Sequence, residues 1–136
     1  MKVILNKCYG GFDVSDKGYK LYAQKKHIPL YVYKDNCSAG YYEKISGEIS
    51  DSPFVEYFTK DFGDCFKPTK EDFKYKLYLS EKHREDLTLI EVVEELGEEA
   101  NGRFGDLVVV EIPDGMNYVI DDYDGIETLH EDVPVW

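Results

Sequence analysis

Apolar and polar positions alternate with two different periods along this chain, and the changes of period mark its elements. Val3-Ile4-Leu5 inside Lys2–Asn6 is a short continuous apolar run, which predicts a buried strand. Lys7-Cys8-Tyr9-Gly10-Gly11-Phe12 reads as a tight loop, and Asp13-Val14-Ser15-Asp16 as a helix start. The helix is predicted from Ser15 to about Lys26. Ser15 is the N-cap, Asp16 sits in the first turn, and Tyr19, Tyr22 and Ala23 form an i, i+3, i+4 stripe. Gly18 weakens it by about 1 kcal/mol relative to alanine. Leu30–Tyr33 after Pro29 predicts a second strand, Asn36–Gly40 a turn and Tyr41–Ser46 the return strand. A parallel pairing of the first two strands across the helix is one expectation for the sheet. Phe54–Phe58 fits a strand or a short helix, and Phe73–Leu79 alternates apolar and lysine positions as a half-exposed strand does. The weakest pattern lies in 47–71, punctuated by Pro53, Gly63 and Pro68.

The second half is easier to read. Asp86 is placed to cap a helix whose stripe is Leu89, Ile90, Val93 and Leu96, with Glu91, Glu94, Glu95 and Glu98 on the other side. Gly97 or Gly102 ends it. Leu107–Ile112 is nearly all apolar, as expected of a central strand. Pro113-Asp114-Gly115 is a turn, and 117–123 with 126–130 form a hairpin around Asp124-Gly125. Val133–Trp136 is a tail whose tryptophan is expected to dock on this chain or a partner. About six strands and two main helices make an α+β fold, a mixed or antiparallel sheet with helices layered on it, in a single domain over residues 1–136.

Composition adds limits. No run approaches the ~20 apolar residues of a membrane-spanning helix, and no apolar leader is apparent. Three scattered cysteines, Cys8, Cys37 and Cys65, argue for a reducing cytosolic compartment and against a disulfide framework. The net charge of −12 is uneven: residues 1–80 carry 13 lysines and 11 acids, whereas 81–136 carry three basic residues and 17 acids. Such a balance disfavours DNA, RNA and anionic membranes as partners, but not a small anion in a local basic pocket.

The chemistry-bearing residues point to binding more than turnover. His27, His83 and His130 have no cysteine or serine at a spacing that signals nucleophilic catalysis. Paired zinc ligands are missing, Asp121-Asp122-x-Asp124 lacks the rest of a calcium loop, and Gly10-Gly11 lacks the further glycine of a dinucleotide fingerprint. No metal, cofactor or enzymatic activity is therefore expected. Paired glycines between a strand and a helix can present backbone N–H groups to a phosphate or carboxylate, although most such turns are only turns. Tyr9 and Phe12 flank them. His83-Arg84 precedes the second helix, and Asn101-Gly102-Arg103-Phe104 follows it, each joining a cation to a turn. Lys7, Tyr9, Gly10, Gly11, Phe12, His83, Arg84, Asn101, Arg103 and Phe104 are the candidate ligand-binding set. The plainer alternatives are an Arg84 ion pair with Glu85 or Asp86, a helix cap at Asn101-Gly102, and core roles for most of the 12 Tyr and seven Phe.

Val3–Phe12, Arg84-x-Asp86, Leu89–Gly97, Glu111–Gly115 and Tyr123-Asp124-Gly125 together resemble a widespread family of small phage and prophage proteins. That family resembles phage sponge proteins that sequester the cyclic dinucleotide signal of CBASS immunity. The resemblance implies non-hydrolytic binding of a ligand such as 3′,3′-cGAMP in the host cytoplasm, by a homodimer or higher homo-oligomer. Roughly residues 30–80 are unmatched, and Asp132–Trp136 departs from the family's His-Arg-Thr-Trp ending, which bears on specificity. A sponge for the ADP-ribose-type signals of Thoeris immunity and an acidic protein–protein inhibitor of a host enzyme are the alternatives.

Overall fold

The computed structural model describes residues 1–36, 40–45 and 55–133. The fold is α+β, as expected, with antiparallel ladders throughout. The chain divides into two compact units, Met1–Tyr22 with Leu79–Trp136, and Ala23–Tyr78.

In the first unit, β1 (Lys2–Asn6) pairs antiparallel with β7 (Leu107–Glu111), Lys2 opposite Glu111 and Asn6 opposite Leu107. The parallel pairing with the next strand is not formed, and β7 is not central in a wide sheet. The ladder stops at two strands because side chains and a loop take the other edge of β1. Ile4 N–H donates to the Arg84 carbonyl at 2.9 Å, the Arg84 guanidinium donates to the Ile4 carbonyl at 3.0 Å, and Asn6 N–H donates to Glu127 Oε1 at 2.8 Å. An edge satisfied in this way has no use for a further strand. The apolar run reflects burial on both faces. Val3 and Leu5 pack with Ile112, Val108, Val110, Ile120 and Leu129, while Ile4, alternating to the other side, is also fully buried.

The first helix, α1 (Asp16–Lys26), starts where Ser15 places it: Ser15 Oγ accepts Gly18 N–H at 3.1 Å, and Tyr19, Tyr22 and Ala23 are buried. Asp86 caps α2 (Leu87–Leu96), its Oδ1 accepting the N–H groups of Thr88 and Leu89 at 2.9 and 3.2 Å. Leu89, Ile90, Val92 and Val93 are buried, and α2 packs on β1 and β7. Gly97 at φ 59° ends the helix in a conformation that favours glycine. The hairpin of β8 (Tyr118–Tyr123) and β9 (Ile126–Glu131) turns through Asp124 (φ 50°) and Gly125 (φ 96°), the two positive values a two-residue turn needs. Burial, with help from the Glu85 carboxylate that accepts its hydroxyl at 2.8 Å, pushes the Tyr118 phenol up to about 12.

The second unit is a five-stranded sheet of β2 (Tyr31–Asn36), β3 (Tyr41–Ile45), β4 (Val55–Phe58), β5 (Cys65–Phe66) and β6 (Lys76–Leu77), in the order β5-β3-β2-β4-β6. The Phe54–Phe58 run thus resolves to a strand over its described part. Its core is aromatic: Tyr33, Tyr42 and Phe58 are buried, with Tyr31, Phe62, Phe66 and Tyr75 around them. Rings meet edge to face, Tyr33 with Phe66 at 4.9 Å and with Phe58 at 5.6 Å. The Tyr33 hydroxyl accepts Phe62 N–H and donates to the Gly63 carbonyl, each at 2.9 Å, which makes its burial affordable. The predicted strand 73–79 is mostly not one. Asp72 accepts Thr69 N–H at 2.9 Å, and the chain turns once through a 3₁₀ segment, Asp72–Tyr75, leaving only Lys76-Leu77 to pair with β4. Turn residues 37–39, Ser46, residues 47–54 and the tail residues 134–136 lie outside the described residues. Among the described residues, no helix is long and apolar enough to cross a membrane.

Candidate functional site

Three segments of the first unit converge on Gly10. Gly10 N–H donates to the Asp124 carbonyl at 3.0 Å, and Gly11 N–H donates to the Phe104 carbonyl at 3.1 Å. Asp13 fastens the 102–104 segment from below, its Oδ2 accepting Phe104 N–H at 3.1 Å and its carbonyl accepting Gly102 N–H at 2.8 Å. The approach is close enough to demand glycine. Gly10 has φ 138°, and a Cβ there would collide with the Phe104 carbonyl oxygen; a Cβ on Gly125 would lie 2.5 Å from the Gly10 oxygen. Nothing stands within 4 Å of a Cβ on Gly11.

These bonds correct the expectation of an anion cradle. Both glycine N–H groups are spent on carbonyls of the same chain, so neither faces a ligand. Arg84 is also committed. It forms a two-pronged ion pair with Glu127, Nη1 to Oε1 at 3.2 Å and Nη2 to Oε2 at 2.9 Å, with side chains only 12% and 7% exposed. The partner is neither Glu85 nor Asp86 but a residue 43 positions away. The guanidinium also lies 5.8 Å from the centre of the half-buried Phe12 ring. His83 accepts Ser80 N–H through Nδ1 at 3.2 Å and closes a local cap. Asn101 accepts Leu107 N–H at 2.7 Å and donates to Asp106, which fastens the start of β7, and its backbone N–H donates to the Glu98 carbonyl at 3.1 Å, so it also caps the 3₁₀ turn Gly97–Ala100 that follows α2. Lys7 reaches the Glu127 carbonyl at 3.0 Å.

What is left outward-facing is aromatic. Tyr9 is 69% exposed and Phe104 57%, on neighbouring segments, and Tyr123, beside Asp124 at the hairpin tip, is 71% exposed. The exposed Arg103 holds its guanidinium carbon 5.6 Å from the Phe104 ring centre. Of the ten predicted residues, Tyr9, Arg103 and Phe104 face outward here, Gly10 and Gly11 shape the loop, and Lys7, Phe12, His83, Arg84 and Asn101 bind the unit together. Sequence reading missed Tyr123, Asn6, Asp13 and Glu127. A polar Asn6 ending an apolar strand was the one available signal.

Two substitutions test this geometry. Gly10→Ala is expected to lower stability by about 1–3 kcal/mol, from backbone strain and the clash at Phe104. Gly11→Ala is expected to stay within about 1 kcal/mol of the parent. Paired urea titrations read the contrast, and equal losses would refute the loop packing.

No family model, no curated protein and no solved structure matches this chain.

Proposed function

We propose that the rings of Tyr9, Phe104 and Tyr123, with Arg103, bind a nucleotide and hold it unchanged. In this reading the protein is a phage sponge for a cyclic dinucleotide such as 3′,3′-cGAMP, and it blunts CBASS defence in the host cytoplasm. The observation that carries it is the exposure of three large rings on segments cross-bonded at Gly10. Rings held outward on a fixed backbone suit base stacking, worth about 1–3 kcal/mol per base, and cost little ordering on binding. Arg103 supplies a charge for a phosphate. The cyclic-dinucleotide class rests on the family resemblance, which also implies a homodimer or higher homo-oligomer.

The test is calorimetric titration with cyclic dinucleotides and ADP-ribose derivatives, followed by denaturation and chromatography of the released ligand. Submicromolar binding of a cyclic dinucleotide, recovered intact, is expected. Phe104→Ala and Tyr9→Ala should each weaken it about tenfold, and Arg103→Ala similarly, with no change in folding. Selective binding of an ADP-ribose derivative moves the reading to Thoeris signals. An altered nucleotide on release makes the protein an enzyme, and no binding at all removes the sponge reading.

The acidic-inhibitor alternative has its own observation. Glu91, Glu94, Glu95, Glu98 and Glu99 are all exposed on α2 and the turn after it, in the unit that holds the whole net charge. A complex made through that face would weaken steeply with salt and ignore Arg103→Ala.

A further inference from the structure

The ladder of β1 and β7 leaves one edge of β7 without a strand, and the hydrogen bonds around it fix which groups face that edge. Successive residues of an antiparallel pair turn their backbone groups to alternate sides. Ile4 and Asn6 send their N–H groups away from β7, to the Arg84 carbonyl and to Glu127, so Val3 and Leu5 are the residues that bond to Val110 and Val108. The alternation continues past both ends, with Lys7 N–H on the Asp106 carbonyl and Ile112 N–H on the Met1 carbonyl, each at 2.8 Å. Leu107, Val109 and Glu111 therefore turn their backbone groups outward. Asn101 Oδ1 takes the Leu107 N–H at 2.7 Å. Among the described residues, no hydrogen bond reaches the backbone N–H or carbonyl of Val109 or Glu111.

Other strand edges among the described residues are guarded. The far edge of β1 is filled by Arg84 and Glu127, and the outer strands of the five-stranded sheet, β5 and β6, have only two residues each. β8 carries exposed Asp121 and Asp122, and Lys7 Nζ covers the Glu127 carbonyl of β9. β7 has no such device along its length. Leu107-Val108-Val109-Val110-Glu111 contains no lysine, proline or glycine, and its one acid stands at the end, across from Lys2. An open edge of β-branched residues is a template for a further strand.

We propose that β7 pairs antiparallel with β7 of a second copy of this chain, across a two-fold axis at Val110, and joins two β1–β7 ladders into one four-stranded sheet. In that register Val109 stands opposite Glu111 of the second copy and Glu111 opposite its Val109, so the open N–H and carbonyl groups of both residues are satisfied in both copies. The ends fit as well. Leu107, whose N–H is already taken, falls opposite Pro113, which has no N–H to bring and whose carbonyl already accepts Met116 N–H at 3.2 Å. This self-complementarity selects a second copy over an unrelated strand. Charge permits the pairing despite the net −12 of each chain, because Glu111 meets a valine of the other copy and Lys2 of its own. The proposal does not rest on the nucleotide reading of the Tyr9 loops.

Sedimentation equilibrium of the whole chain without ligand, from ~1 to ~300 μM, is the experiment, and a dimer is expected within that range. Glu111→Pro removes an outward N–H that has no bond inside the chain. It should raise the dimer dissociation constant at least tenfold while the near-UV circular dichroism stays that of the parent, whereas Glu111→Ala should dimerise at least as tightly as the parent. The register has its own readout, in a chain carrying Cys8→Ser, Cys37→Ser and Cys65→Ser. Val110→Cys should form an intermolecular disulfide, because Val110 meets its own copy at the close spacing of a non-hydrogen-bonded pair. Val108→Cys, opposite Ile112 of the second copy, should not. A monomer at every concentration, a dimer that Glu111→Pro leaves intact, or crosslinking of Val108→Cys in preference to Val110→Cys would overturn the proposal. If Glu111→Pro does not fold, the two cysteine variants decide. No ligand enters these readings, so they succeed or fail apart from nucleotide binding.

Discussion

Glu127→Ala is expected to lower the stability of the protein by about 3–5 kcal/mol, the usual cost of stranding a buried charge. The Glu127 carboxylate meets two prongs of Arg84 and the N–H of Asn6, and all of these groups are nearly or fully buried. Removing it leaves the guanidinium without its counter-charge and opens the free edge of β1 at Asn6. With a urea slope of about 2 kcal/mol/M, the unfolding midpoint should drop by about 2 M. Glu131→Ala, four residues on and exposed, is expected to change the stability by less than ~0.5 kcal/mol. An Arg84→Met/Glu127→Leu pair should cost less than Glu127→Ala alone, because most of the penalty is the orphaned charge and not the lost attraction. A loss under ~1 kcal/mol for Glu127→Ala would refute the structural role given to the pair.

The second large effect is expected at Asn6. Its side chain is fully buried, and each of its atoms has an assigned task. Nδ2 donates to the carbonyls of Cys8 at 3.0 Å and Gly125 at 2.6 Å, while Oδ1 accepts Asp106 N–H at 2.8 Å. The amide orientation follows from its neighbours, since a backbone N–H can only donate and a carbonyl only accept. Asn6→Asp keeps the shape but sets an oxygen against two carbonyl oxygens without solvent. A loss of about 3 kcal/mol or more is expected at pH 7.

The sign of its pH dependence follows. The folded state favours the protonated acid, so the introduced carboxyl has a folded pKa above its unfolded value. Stability is then fully present below the unfolded pKa and is lost as pH rises towards the folded one. The gap between Asn6→Asp and the parent should narrow as pH is lowered from 7 towards 4, read as the difference between two urea curves at each pH. A gap that stays constant or widens in acid would show that Asn6 does not face those carbonyls.

These two residues explain why the functional reading of the chain is divided. Arg84 has every attribute of a phosphate ligand when read by type and position, and the glycine pair has those of an anion cradle. Both are used up internally: Arg84, with Glu127, satisfies the edge of β1 that has no second strand beside it, and the glycine N–H groups donate to the Asp124 and Phe104 carbonyls. The side chains left facing outward are ones this hydrogen-bond network does not use: those of Tyr9, Arg103, Phe104 and Tyr123.

By itself the sequence determined the local elements. Ser15 and Asp86 start their helices and Gly97 stops the second. Asp124-Gly125 makes its hairpin, and the apolar runs at 3–5 and 107–110 become strands. Each depends on hydrogen bonds and φ values within a few residues, which composition and spacing report directly. Tertiary structure alone decided the partners. β1 found β7 about 100 residues away, Arg84 found Glu127, the rings of 31–75 closed a core of their own, and 73–79 gave up most of its strand to a turn held by Asp72. Long-range pairing and the satisfaction of buried polar groups depend on which surfaces meet, and the periodicity of a single segment carries no record of its neighbour.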